Sequence, residues 1–144
     1  MKKNLPLFAT LLVTLILDLI TKNWAATQLI ISPIKLTSFF QLTYHENPGI
    51  AFGLPLGGWP LLLITGVLIL AFMVYAPRAF NMERLSVKLA LGLVFGGAIG
   101  NFYDRFTLGI VRDFIALDFW PAFNLADTAI VIGVFILLIH LPRD

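Results

Sequence analysis

Four stretches of this chain are long and apolar enough to cross a lipid bilayer, and little sequence lies between them. A helix that crosses the ~30 Å hydrocarbon core needs about 20 mostly apolar residues. Residues 5–23, 59–76, 85–102 and 122–141 meet that requirement. The 144 residues are 59% hydrophobic and 12% charged, against about 25% charged in ordinary soluble domains. A soluble fold of this size could not hide so much apolar surface. The expected architecture is an α-helical integral membrane protein with four transmembrane helices, one embedded domain over residues 1–144. Lys2 and Lys3 ahead of the first apolar run look like the start of a secretory signal. The length of the run and the lack of a small-x-small cleavage site favour a retained helix. The net charge of +2 rests on few residues, and no basic run could follow a phosphate backbone, so nucleic acid is not an expected partner. Cysteine is absent, which removes disulfides, thiol catalysis and thiolate metal sites together.

Orientation follows from the Lys and Arg residues that flank the spans. Lys2, Lys3, Arg78, Arg84, Lys88 and Arg143 fall on one side, and Lys22, Lys35, Arg105 and Arg112 on the other. This bias places both termini and the 77–88 loop in the cytoplasm. Asp18, Glu46, Asp104, Asp113, Asp118 and Asp127 all fall toward the outer side, so any acid chemistry belongs there.

The two outer connections differ. In "IKLTSFFQLTYHENPGIAFG", Ile34, Leu36, Phe40, Leu42 and Tyr44 share one face, with Lys35, Thr37, Gln41 and Thr43 mostly on the other, which predicts a small β-element at the membrane surface, ended by "NPG". "DRFTLGIVRDFIALDFW" mixes charge with aromatic residues and reads as an interfacial loop. No internal repeat points to an inverted-repeat transporter. Between them, in the third span, Gly92, Gly96 and Gly100 recur every fourth residue and line one helix face, where another helix can approach closely.

The carboxylates carry the functional question. Asn124 is placed to cap the fourth helix, with Asp127 three residues on in a capping-box arrangement. Counting back about 20 residues from Leu141 starts that helix near Ala122, which puts Asp127 at or just inside the interface. An acid there is by default a functional candidate. Asp18 and Lys22 are spaced for an i,i+4 ion pair near the outer end of the first helix, a structural role. Asp104 and Arg105 read as an interfacial ion pair, or Arg105 as a clamp for a carbonyl or an anionic headgroup. Several acids near one face suggest an aspartyl pair that shares a proton. Asp127 is a natural member; spacing does not choose the second from Asp104, Asp113 and Asp118. The three serines form no nucleophile elbow, and His45 and His140 are too far apart in the topology for a shared metal.

"DLITK" (18–22), "NPGIAFG" (47–53), "GGAIGNFYDR" (96–105), "VRDFI" (111–115) and "FNLADTAI" (123–130) occur in this order along nearly the whole chain. Together they resemble bacterial lipoprotein signal peptidase, signal peptidase II. The resemblance implies an intramembrane aspartyl endopeptidase that removes signal peptides from diacylglyceryl-modified prolipoproteins, on the amino side of the lipidated cysteine. It implies Asp113 and Asp127 as the catalytic aspartates, with Asn47, Asn101, Arg105 and Asn124 lining the pocket. Asp18, Lys22, Gly96, Gly100 and Asp104 become structural residues near the site, and the outer β-element a periplasmic cradle for substrate. No metal or organic cofactor is implied. The implied setting is the bacterial cytoplasmic (inner) membrane, with a monomer among membrane lipids and its site toward the periplasm. Arg112 occupies a slot that is often apolar in the family and is expected to alter lipid or loop contacts. The competing expectations are a small proton- or cation-relay subunit and a membrane scaffold.

Overall fold

In a bilayer, lipid is as apolar as leucine, so helices associate through close van der Waals packing rather than through the exclusion of water. The small residues of this chain do that work. The structure, a computed structural model, describes residues 2–49 and 58–141. The end of "NPGIAFG" and the flanking Arg143 and Asp144 lie outside the described residues.

Helix α1 spans Leu5–Gln28, α2 Gly58–Ala79, α3 Leu85–Leu108 and α4 Leu125–Ile139. Among the described residues, α1, α2 and α3 are long and apolar enough to cross a membrane. Helix α4 is apolar but has 15 residues, or ~22 Å at 1.5 Å per residue. Its start is not near Ala122 as the length count had it. Residues Trp120–Phe123 pair with a neighbouring strand, and Asn124 then caps the helix. Helix α1 outruns its expected end at residue 23 and continues to Gln28, so Asp18 and Lys22 lie within it, not at its tip.

Helix α3 is the centre of the bundle, with α1 and α4 packed along it. A Cβ on Gly92 or Gly96 would stand 2.7 Å from the backbone oxygens of Leu7 or Leu11 on α1. One on Gly97 would stand 2.5 Å from the Ala126 oxygen on α4, and one on Gly133 2.7 Å from the Ala90 oxygen on α3. These contacts leave no room for a methyl group, so the expected close approach is present on two sides of α3. Leu7, Val87, Ala90, Leu91, Phe95 and Leu137 form the core below.

The outer connections make one antiparallel sheet in the order β1 (Ile34–Lys35), β2 (Phe40–Asn47), β3 (Val111–Leu117) and β4 (Trp120–Phe123). The first hairpin was legible from its alternation. The second connection is strand as well, not a loop. Residues Val111–Phe114 are buried on both faces, so they lack the alternation that marks a half-exposed strand. The sheet is seated on the end of α1 through Phe114, which packs with Ala25 and Leu29.

Candidate active site

Strand β3 carries Asp113 toward the start of α4, and the cap of α4 meets it there. The Asn124 side chain accepts a hydrogen bond from the Asp127 N–H at 3.0 Å, while the Asp127 Oδ2 accepts from the Asn124 N–H at 3.1 Å. This reciprocal capping box satisfies two amides that the first turn of a helix leaves without partners. The same Asn124 donates from Nδ2 to Asp113 Oδ1 at 2.7 Å. One residue therefore holds both carboxyl groups, Asp113 through its side-chain amide and Asp127 through its backbone N–H, and capping and site-building are one arrangement.

Two further amides complete the pair. Asn101 on α3 donates from Nδ2 to Asp127 Oδ1 at 2.7 Å, and Asn47 at the end of β2 donates to Asp113 Oδ2 at 3.0 Å. Asp113 is 2% exposed, and Asp127 is half-buried. Burial pushes the Asp113 carboxyl up to about 6; the Asn47 and Asn124 donors oppose this, and the negative charge of Asp127 adds to it. Proximity to a like charge in a site with little water is the condition under which two acids share one proton.

Below the pair lies a buried network of formal charge zero. Lys22 donates to Asp18 Oδ2 at 2.7 Å and to Asn101 Oδ1 at 2.8 Å, and stands 3.6 Å from Asp104. The expected i,i+4 pair is present, but with both side chains fully buried, and it does more than tie one helix to itself. The other Asp18 oxygen accepts from the Ala126 N–H at 3.0 Å and so anchors the start of α4. Asp104 does not pair with its neighbour Arg105. Helical geometry turns consecutive side chains about 100° apart, and Asp104 meets Arg112 instead. Arg112 donates from Nη2 at 2.7 Å and Nε at 3.1 Å, and its backbone N–H donates to the same carboxylate at 3.1 Å. Arg112 is 7% exposed, so it is no lipid or loop contact. Nothing in the spacing pointed to this partner, because the pairing depends on β3 folding back beside the end of α3.

Arg105 stands on the other side of the pair, where it feels the charges of Asp127 and Asp113. It donates to the Gly49 oxygen at 3.3 Å, and its Nε has no partner among the described residues. A cavity of about 190 Å³ opens beside it, lined by Pro48, Trp59, Leu61, Leu62 and Phe106. The remaining candidate acid, Asp118, lies at the far end of the sheet, where its N–H bonds to the Phe39 oxygen. His45 is exposed on β2, while His140 meets Ser86 at the opposite end of the bundle. No cluster of possible metal ligands occurs among the described residues.

A bundle of apolar helices that gathers two carboxyl groups around Asn124 at one end defines a class, helical membrane proteins with an acid pair set into the bundle. Comparison with known proteins narrows the class. The family model described as Signal peptidase (SPase) II matches residues 10–143, and the chain belongs to that family. It is 42% identical over 142 residues to a lipoprotein signal peptidase of Teredinibacter turnerae, covering 91% of this chain and 83% of the relative. A lipoprotein signal peptidase of Aquifex aeolicus is 39% identical over 150 residues, covering 96% and 87%. A solved bacterial membrane enzyme, determined in meso at 2.3 Å resolution, superposes with a TM-score of 0.77 at 30% identity, covering 92% of this chain and 85% of that one.

Proposed function

We propose that this membrane-embedded aspartic peptidase cleaves signal peptides from diacylglyceryl-modified prolipoproteins, with Asp113 and Asp127 as its catalytic pair. The observation that carries the assignment is Asn124, whose side-chain amide holds the Asp113 carboxyl and whose backbone N–H holds that of Asp127, while its side-chain oxygen caps α4. The charge count agrees. The network of Asp18, Lys22, Asp104 and Arg112 is neutral, so Arg105 is balanced when the pair carries one proton and a single negative charge.

In the proposed reaction Asp113, the more buried acid, holds the shared proton and donates it toward the scissile carbonyl oxygen. Asp127 takes a proton from a water molecule, whose oxygen attacks the carbonyl carbon to give a tetrahedral diol. The carbon–nitrogen bond then breaks as Asp127 returns a proton to the leaving amine of the lipidated cysteine. A proton from the diol goes back to Asp113, which restores the pair. Arg105 and the adjoining cavity suit the polar backbone and apolar side chains of the signal peptide near the cut.

We place the site at the periplasmic face of the inner membrane, with cytoplasmic termini and the whole chain acting as one domain and as a monomer among lipids. Lys22 and Arg112, counted earlier as outer-side charges, are committed to buried carboxylates, which sharpens the positive-inside bias. A proton-relay subunit would need acids spread through the membrane depth, whereas these gather at one end.

The test is cleavage in detergent of a lipidated precursor and of the same precursor without lipid. The wild type should process only the first. Asp113→Asn and Asp127→Asn should each abolish processing while still inserting and folding. Full processing by either variant would remove the pair from the mechanism.

A further inference from the structure

Arg112 immediately precedes Asp113, yet its side chain belongs to neither the pair nor the substrate cavity. Its guanidinium grips the Asp104 carboxylate through two nitrogens, and Nη1 donates to Asn23 Oδ1 on α1 at 2.5 Å. Its main chain is held from both sides. The N–H donates to Asp104 Oδ2 at 3.1 Å, and the carbonyl oxygen accepts from Asn124 Nδ2 at 3.4 Å. That Nδ2 is the one that holds Asp113 Oδ1 at 2.7 Å and also reaches Asn101 Oδ1 at 3.1 Å. Three elements, α1, α3 and α4, thus converge on the residue whose ψ and whose neighbour's φ set where the Asp113 carboxyl points.

We propose that Arg112 is a positioning residue for the aspartyl pair, clamping β3 to α3 and α1 so that Asp113 meets Asn124 and Asp127 in reacting geometry. The proposal rests on the assignment of Asp113 and Asp127 above. A planar fork is needed for this task, because two parallel N–H···O bonds fix orientation as well as distance, which the point charge of a lysine cannot do. Its charge matters too. The charged and titratable groups around Asp113 are Asp18 and Lys22 on α1, Asp104 and Arg105 on α3, Asp127 on α4, and His45 and Glu46 on β2. Without Arg112 the lower network carries one excess negative charge, which makes it harder for the pair to lose its proton.

The experiment compares Arg112→Lys and Arg112→Met with the wild type, using Asp113→Asn and Asp127→Asn as inactive references. Each is purified in the same detergent and assayed on a lipidated precursor from pH 5 to 9, with the folded fraction measured by thermal melting. Arg112→Met should lower kcat per folded molecule by roughly 10- to 100-fold, the usual consequence of an ångström-scale misplacement, with KM changed by less than about threefold. The alkaline limb of its pH profile should move up by roughly half a unit or more. Arg112→Lys, which keeps the charge, should recover part of kcat and leave the limb where it is in the wild type. If Arg112→Met does not fold, Arg112→Lys decides: a kcat loss of about threefold or more at unchanged KM supports the clamp. Wild-type kcat in Arg112→Lys, or a folded Arg112→Met with normal kcat and an unmoved limb, overturns it. Activity in Asp113→Asn would instead overturn the aspartyl assignment itself, so the two failures are distinct.

Discussion

Replacing Asp113 by asparagine should change not only activity but the way stability depends on pH. Burial raises the folded carboxyl from its ordinary 3.8 to about 6. Below pH 3.8 the group is protonated both folded and unfolded, and its contribution is at its most favourable. As pH rises toward 6 the unfolded chain ionises while the folded chain keeps its proton, so the folded state loses ground. Above 6 the charge sits in the buried site and the loss is complete. At about 1.4 kcal/mol per pH unit, the interval is worth about 3 kcal/mol, and with Asp113 2% exposed there is little solvent to screen it. Asparagine does not titrate. Its one oxygen can accept from only one of Asn47 and Asn124, but that cost is the same at every pH and cancels from the slope. Relative to the variant, the wild type should therefore lose about 2.5 kcal/mol between pH 4 and pH 7, or roughly 5–10 °C in Tm for a chain of this size. The assay is thermal unfolding of both proteins in one detergent across that range. Asp127→Asn is the control: the slope should shrink without vanishing, since burial is the larger cause and the Asp127 charge a smaller one. A wild-type-minus-variant difference that stays flat, or that rises with pH, would refute the reasoning.

Other perturbations follow from single contacts. Gly100→Ala would place its methyl against the Asp18 carboxylate. It should cost about 1–3 kcal/mol of thermal stability as an overpacked interface, with Gly109→Ala no guide because its strain comes from a positive φ. Asp18→Asn leaves Lys22 fully buried with a weakened partner. It should destabilise by about 3–5 kcal/mol and lower abundance at least as much as turnover per folded molecule, as immunoblots and assays on the same preparations would reveal. Asn124→Ala removes the cap of α4 and the donor to Asp113 at once. About 1 kcal/mol of stability should go with the cap, while cleavage should fall far more than that loss explains.

What could be read from the residues, and what could not, divides along the period of the pattern. The apolar runs and the fourfold spacing of Gly92, Gly96 and Gly100 carry the helical period and announced both the spans and their close packing. The capping box of Asn124 and Asp127 is local, three residues apart, and was equally visible. Strand β3 was hidden because a strand covered on both faces shows no alternation, and "VRDFI" was taken for a loop. With the strand went its consequences. Arg112 and Asp104 are eight residues apart around a reversal of chain direction, and no periodicity relates them. The start of α4 was misplaced for a related reason: β4 claims residues that hydropathy alone assigns to the span. The choice of Asp113 over Asp104 and Asp118 came from family motifs, and the geometry shows why spacing could not make it. Asp104 is occupied by two cations, and Asp118 lies at the wrong end of the sheet.

The bond from the Ala126 N–H to Asp18 joins residues 108 apart in sequence, α4 to α1. During synthesis α1 is made before α4, and the Asp18–Lys22 pair one turn apart lowers the cost of each charge within the helix meanwhile. The amide that completes Asp18 is made only when synthesis has moved 108 residues on, into α4. Until then β3 has no Asn124 to meet, and Asp127 is not yet made. The arrangement around Asn124 is thus completed late, when α4 docks against α1 and α3.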